Sequence, residues 1–307
     1  MQIKTIKKVI TKKMESWLES ITDEKLREDV KDNLLVSGGS IASLILGETV
    51  NDYDIYLQDR EVLLRLTAYY IKGIDEVEVW DGAKKKEIIE SLSKEGYYNA
   101  EDRTSYIGCS IRNLQPDQVK IFIADGGGGL KINSALENAK EGEEPKPYRV
   151  SFLSPNAISL TDDIQIVIRF HGEPKDIHKT FDFIHATNYF TFKHGVVTNI
   201  NALESLISKH LSYQGSLYPL TSVIRAKKFI KRNWNITAGE YLKMMFQISL
   251  LDLQNLDVLE EQLIGVDVAY FATLIQALRD HKKNEPEFKL SAEYLNEIID
   301  RISNGDD

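Results

Sequence analysis

One cysteine, Cys109, is all that 307 residues contain. A single thiol excludes an internal disulfide framework and a cysteine-rich zinc site, and it suits a reducing compartment. The 6 histidines fall at no metal-ligand spacing, which makes zinc a poor expectation. No apolar run approaches the roughly 20 residues a membrane span needs. Positive charge is also in short supply: 38 Lys and Arg stand against 47 Asp and Glu, for a net charge of −9 and a pI near 5.3. A whole-surface attraction to nucleic acid or anionic membrane is therefore not expected, and any contact with a polyanion must be a local patch. The N-terminal MQIKTIKKVITKK is basic like the start of a signal peptide, but Glu15, Glu19 and Asp23 occupy the stretch where an uncharged apolar segment should follow. With 42% hydrophobic residues the chain has enough apolar material for a core, and the expectation is a globular cytoplasmic protein.

The pattern changes along the chain. Ile3, Ile6, Ile10, Trp17 and Leu18 recur at helical spacing, and residues 23–32 continue as a second amphipathic helix. Leu34–Val36 reads as a short buried strand, Ile41–Leu46 as a helix and Tyr53–Leu57 as a strand. Asp59 then caps a helix that ends near Lys72. Strands are expected around Cys109–Arg112, Val119–Ile123 and Ile164–Phe170, with a short helix after Pro174 and a further strand over Phe181–Ala186. GGGG at 126–129 lacks the lysine and helix of a P-loop and reads as a turn, with loop from 133 to 147. From about residue 199 the period is helical throughout. The expected fold class is α+β, a short mixed sheet flanked by helices over residues 1–195, followed by an all-helical domain over 196–307.

The chemistry concentrates in LLVSGGSIASLILGETVNDYDIYL, residues 34–57. Side chains alternate along a strand, so Asp52 and Asp54 point to one face while Tyr53 and Ile55 enter the opposite layer. Two carboxylates this close repel unless a cation lies between them, and hard oxygen ligands suit Mg²⁺, with Mn²⁺ as a substitute. Upstream, Gly38 and Gly39 let the chain turn sharply and approach a ligand closely. Ser40 opens a helix whose N-terminal amides attract phosphate.

Gly-Gly-Ser at a strand-to-helix junction, followed after a spacer by Asp-Tyr-Asp-Ile, resembles the signature of the DNA polymerase β-like nucleotidyltransferase superfamily. SGGSIASLILGETVNDYDIY and FDFIHATNY are similar to segments of bacteriophage and bacterial members whose acceptors are mostly unassigned. The resemblance implies a Mg²⁺-dependent transferase in which Asp52 and Asp54 hold metal and Gly38, Gly39 and Ser40 position the triphosphate of an NTP, ATP included, or a dNTP. It also implies a third carboxylate on a neighbouring strand. Asp182, between two Phe residues, fits best, with Asp163 and Asp117 as rivals. In such proteins a following helical domain often holds nucleotide or acceptor, which points to Arg225 and Lys228 in SVIRAKKFIKRNW; a solvated basic face is the alternative. His185 and Asn188 stand either as base or ribose contacts or as core residues. The implied acceptor is an RNA 3′ end such as that of tRNA, or a growing oligonucleotide. The alternatives are an anti-phage defence enzyme making an oligonucleotide signal, with or without a protein hydroxyl as primer, and a catalytically dead nucleotide-binding module.

Overall fold

A computed structural model describes residues 2–72, 77–79, 107–115, 118–123, 130–131, 147–154, 156–263, 268–284, 291 and 293–297. The chain forms two compact units, one of residues Met1–His178 with Ala186–Ile200, the other of Lys179–His185 with Asn201–Asp307. The expected class holds: a mixed sheet flanked by helices, followed by a helical second unit. The expected turn at 126–129, Asp117 and all but residue 147 of the expected loop lie outside the described residues.

The first unit opens with α1 (Ile3–Glu19) and α2 (Glu24–Asn33), the latter started by Asp23, whose carboxylate accepts from the Leu26 N–H at 2.9 Å. Then come β1 (Leu34–Ser37), α3 (Gly39–Leu46), β2 (Tyr53–Leu57) and α4 (Arg60–Lys72), where Asp59 accepts from Val62 N–H as the cap. Next are β3 (Val77–Val79), β4 (Ile107–Gln115), β5 (Gln118–Ile123), β6 (Leu130–Lys131), β7 (Val150–Leu153), β8 (Ala157–Leu160), β9 (Ile164–Val167), α5 (Pro174–His178), β10 (Tyr189–Thr191) and β11 (Gly195–Val197). The main sheet has the order β11-β10-β1-β2-β9-β8-β7-β6, and β3-β4-β5 form a separate sheet. Within the main sheet β2 and β9 run parallel, while the other pairs are antiparallel.

Register sorts the two faces. Phe190, Val36, Ile55, Ile166 and Ile158 stand in one row across five strands and are all buried. They share a core with Ile6, Ile10, Met14 and Trp17 of α1, Ile41 of α3 and Leu63 of α4. One residue along, and so on the opposite face, the same strands carry Tyr189, Ser37, Asp54, Gln165 and Ser159. The apolar row fastens the sheet to its helices, and the polar row is thereby turned the other way.

The second unit contains α6 (Ile200–Ser208, of which Ile200 belongs to the first unit), α7 (Pro219–Ile230), α8 (Ala238–Ile248), α9 (Leu256–Gln262) and α10 (Val268–Asn284). Residues 181–186 are not the expected strand: Phe183 makes an isolated bridge to Tyr213, and Ile184–Ala186 is a 3₁₀ turn. The reason is packing. Phe183 and His185 are gathered with Phe229 and Tyr213 into an aromatic cluster, and Asp182 beside them is itself buried, so no solvent face exists for the alternation to serve.

Trp17 is fully buried on α1 and donates its indole N–H to the Tyr70 hydroxyl at 2.8 Å, tying α1 to α4. Burial raises the Tyr70 hydroxyl well above its ordinary pKa, so it stays protonated. Trp17→Ala is expected to destabilise the fold by about 3–5 kcal/mol, read as a lower midpoint in urea unfolding followed by far-UV circular dichroism.

Candidate active site

The site is built where β1 ends. Gly38 has φ 96° and ψ −148°, a conformation in which a side chain is strained. Its N–H donates to the Ala186 carbonyl at 3.2 Å. A Cβ at Gly38 would lie 2.9 Å from Asp54 Oδ2, so the absent side chain is what lets the Asp54 carboxylate approach the turn. Gly39 differs: a Cβ there would meet nothing within 4 Å. The amides at the start of α3 have no side-chain cap, as Gly38 has none to offer, and such amides with their dipole attract anions. Ser40 follows, only 2% exposed, and its hydroxyl has no hydrogen-bond partner among the described residues.

Ser37, the last residue of β1, is anchored on three sides. Its hydroxyl donates to the Asn188 carbonyl at 2.9 Å and lies 2.9 Å from His178 Nε2 on α5, with the Ala186 carbonyl at 3.4 Å. With the hydroxyl proton directed at a carbonyl, His178 Nε2 carries hydrogen and donates. Burial lowers the His178 pKa to about 4, so this ring is neutral at physiological pH. The contact fixes the end of β1 immediately before the glycine turn.

Asp54 sits in β2 opposite Ser37, half-buried, and Asp52 precedes the strand, exposed. Protein atoms packed around the Asp52 carboxyl raise its pKa above the ordinary carboxylate value, and the charge of Asp163 raises it further. Asp163 lies at the turn into β9 with φ 57°, and its carbonyl accepts from the Tyr53 N–H at 2.8 Å. Beside Asp54, in register on β9, stands Gln165. Among the described residues no three His, Cys, Asp or Glu side chains converge to hold one ion. The donor set nevertheless fits Mg²⁺, which takes one or two carboxylates and completes its shell with water and substrate phosphate oxygens.

The other expected site residues, Asn188 apart, fall in the second unit. Asp182 is 5% exposed and fully engaged: Oδ1 accepts from the Ser216 hydroxyl and Oδ2 from Arg225 Nη1, each at 2.7 Å. Asp182 and Arg225, which the sequence offers as separate candidates, are thus partners of one another. Nearby, burial and then the charge of Asp182 push the Tyr213 hydroxyl up to about 12. Lys228 is exposed on α7. His185 is buried against Phe229 and Trp234, with a pKa lowered to about 4 by burial and by Arg232. Asn188 is buried in the first unit and accepts from Asn199 N–H at 3.0 Å. His178 and Gln165 carry no signal in the sequence. A helical His 141 positions from its serine leaves no local trace, and Gln165 has no charge to draw notice.

The family model for the Gabija anti-defense 2 family matches residues 8–209, more than half of the chain and inclusive of every first-unit residue just described. The chain belongs to the Gabija anti-defense 2 family. A comparison with curated protein sequences gives no match. Solved structures similar to this family member include the Thermotoga maritima CCA-adding enzyme complexed with tRNA, at 14% identity and TM-score 0.35, covering 91% of this chain and 57% of that one. The Bacillus stearothermophilus CCA-adding enzyme in complex with CTP is similar at 8% identity and TM-score 0.36, over 86% of this chain and 51% of that one. The chain therefore spans a little over half the length of these enzymes. Among the described residues no helix is long and apolar enough to cross a membrane.

Two outcomes are expected. Gly38→Ala loses about 1–3 kcal/mol from the strained φ alone, besides displacing the Asp54 carboxylate, whereas Gly39→Ala stays within about 0.5 kcal/mol of the parent; urea unfolding of the two variants checks this. Stability should also fall as pH drops from about 6.5 towards 4. The unfolded chain then binds protons that neutral His178 and His185 refuse in the fold, a loss on the order of 2 kcal/mol per histidine after allowance for solvent. Unfolding at stepped pH measures it, and His178→Gln should flatten the slope.

Proposed function

We propose that this Gabija anti-defense 2 family protein is a nucleotidyltransferase that moves a nucleoside monophosphate from an NTP or dNTP to an acceptor hydroxyl. The new bond joins the acceptor oxygen to the α-phosphorus, the bond to the β-phosphate oxygen breaks, and pyrophosphate leaves. The observation that carries the reading is the approach of Asp54 to the side-chain-free turn at Gly38. It brings an acid and an uncapped helix start to one spot, which a nucleotide tail needs and a plain structural turn does not.

In this reading the open side of Gly39 and the first amides of α3 receive the triphosphate, and Asp52 and Asp54 hold Mg²⁺. The ion, when bound, supplies charge neutralisation to the phosphates and acidifies the attacking hydroxyl. The raised pKa of Asp52 supports this, because a cation would offset what its burial, and then the charge of Asp163, impose on the carboxylate. The acceptor's proton needs a carboxylate that an incoming hydroxyl can reach. Asp182 is the candidate the sequence favours, but it is buried against Ser216 and Arg225 and so shielded from an incoming hydroxyl, and this favours Asp163, whose charge already reaches Asp52. Arg225 and Lys228 remain candidates for nucleotide contact from α7, Arg225 only by sharing itself with Asp182. An RNA 3′ end or an oligonucleotide is the acceptor class. The family's name sets the reaction in opposition to a defence, so transfer would counter that defence rather than emit its signal.

Incubation with each α-³²P-labelled NTP and dNTP plus Mg²⁺, with and without tRNA, is expected to yield labelled product. Asp54→Asn should lower the yield at least about 100-fold, the scale of losing a group that acts in the transition state. Asp163→Asn should lose activity with stability kept. Asp182→Asn should lose about 1–3 kcal/mol of stability by weakening the buried Ser216 and Arg225 contacts, with residual activity in the folded fraction. Absence of any labelled product under all these conditions overturns the reading in favour of a nucleotide-binding module.

A further inference from the structure

Helix α1 has two faces with separate duties. Ile6, Ile10, Met14 and Trp17 are fully buried in the first unit. The outer side carries Lys4, Lys7, Lys8 and Lys12, which with Thr11 and Glu15 line a shallow groove. Lys4, Lys8 and Lys12 follow one another at i, i+4 spacing over about 12 Å of helix axis. Like charges at that spacing destabilise a helix, and the ion pairs among the described residues engage other cations. Lys13 is different, resting over the rings of Tyr53 and Tyr148. Lys7 lies against Gly195 of the β10–β11 hairpin, whose exposed Lys193 extends the positive surface. This is a basic stripe on a protein of net charge −9, and it works against the helix that carries it.

We propose that this face of α1 binds the phosphodiester backbone of a nucleic-acid strand. The proposal deepens the acceptor half of the transfer reaction and rests on that reading only for why a strand would be held. A membrane is the poorer partner, because an interfacial helix inserts its apolar face, and the apolar face of α1 is already packed into the core. A protein is also the poorer partner, because interface anchors are Trp, Tyr and Arg while Lys is depleted there. Lysines with a threonine hydroxyl between them are what phosphate oxygens take, without regard to base.

The test is fluorescence anisotropy of the full chain with a fluorescein-labelled 20-nucleotide single-stranded RNA, and with DNA of the same sequence, across a salt series and without nucleotide. The parent should bind more weakly as salt rises. The triple variant Lys4→Gln, Lys8→Gln, Lys12→Gln should bind at least about tenfold more weakly at low salt, its log–log salt slope shallower by about 2, or roughly 0.7 for each phosphate no longer neutralised. Lys25→Gln, an exposed lysine on α2, should bind as the parent does. Asp54→Asn should keep its affinity while losing transfer, so that failure of the chemistry and failure of the binding face are told apart. Stronger binding of RNA than of DNA would assign the strand to RNA, and equal binding to either. The proposal is overturned if the folded triple variant binds like the parent. It is equally overturned if polyglutamate or phosphatidylserine vesicles displace the labelled strand as well as unlabelled strand does.

Discussion

The approach of the Asp54 carboxylate to a backbone turn that has no side chain is the contact on which the rest of the first unit depends. An acid can come that close only where Cβ is missing, and the turn can adopt its positive φ only for the same reason. Everything around it holds the two strands in place. Ser37 is pinned by His178 and by the Asn188 carbonyl, and the apolar row one residue away locks β1, β2 and β9 into register with α1 and α3 behind them. A one-residue slip of β2 would send Asp54 into that core and Ile55 out of it.

Much of this arrangement is legible from local pattern. The period-2 run of β2, the Gly-Gly break after β1 and the helix that follows are short-range features, and they stand within a residue or two of expectation. What escapes is long-range. Phe-Asp-Phe imitates strand alternation, but residues 181–186 are shaped by Tyr213, Ser216 and Arg225, which lie tens of positions downstream. Likewise β7 and β8 are too short to announce themselves, and the neighbourhood of Asp52 and Asp163 arises only because β9 returns parallel to β2. In the sequence Asp163 reads as a strand-entry residue, which it is; its proximity to Asp52 is a property of topology.

Charge has opposite uses in the two units. An acidic chain keeps its like-charged carboxylates at the mouth of β2, where nearby protein atoms and then the charge of Asp163 raise the Asp52 pKa. In the second unit Asp182 is buried with a cation and a hydroxyl, an environment that satisfies the charge instead of leaving it in search of a partner. The same residue type thus stands crowded by like charge in one setting and paired in the other.

The path of the chain between the units has its own consequence. The backbone leaves the first unit at residue 179, returns at 186 and departs again after 200. No single scission can therefore release the first unit free of second-unit residues. A fragment stopped at 178 would lack β10 and β11, leaving β1 as a raw edge and Ser37 without its carbonyl acceptor, while one stopped at 200 would carry residues 179–185 as an orphaned loop with an aromatic and a carboxylate stripped of their mates. Each unit is thus discontinuous in sequence, and a boundary drawn at one residue number divides at least one of them.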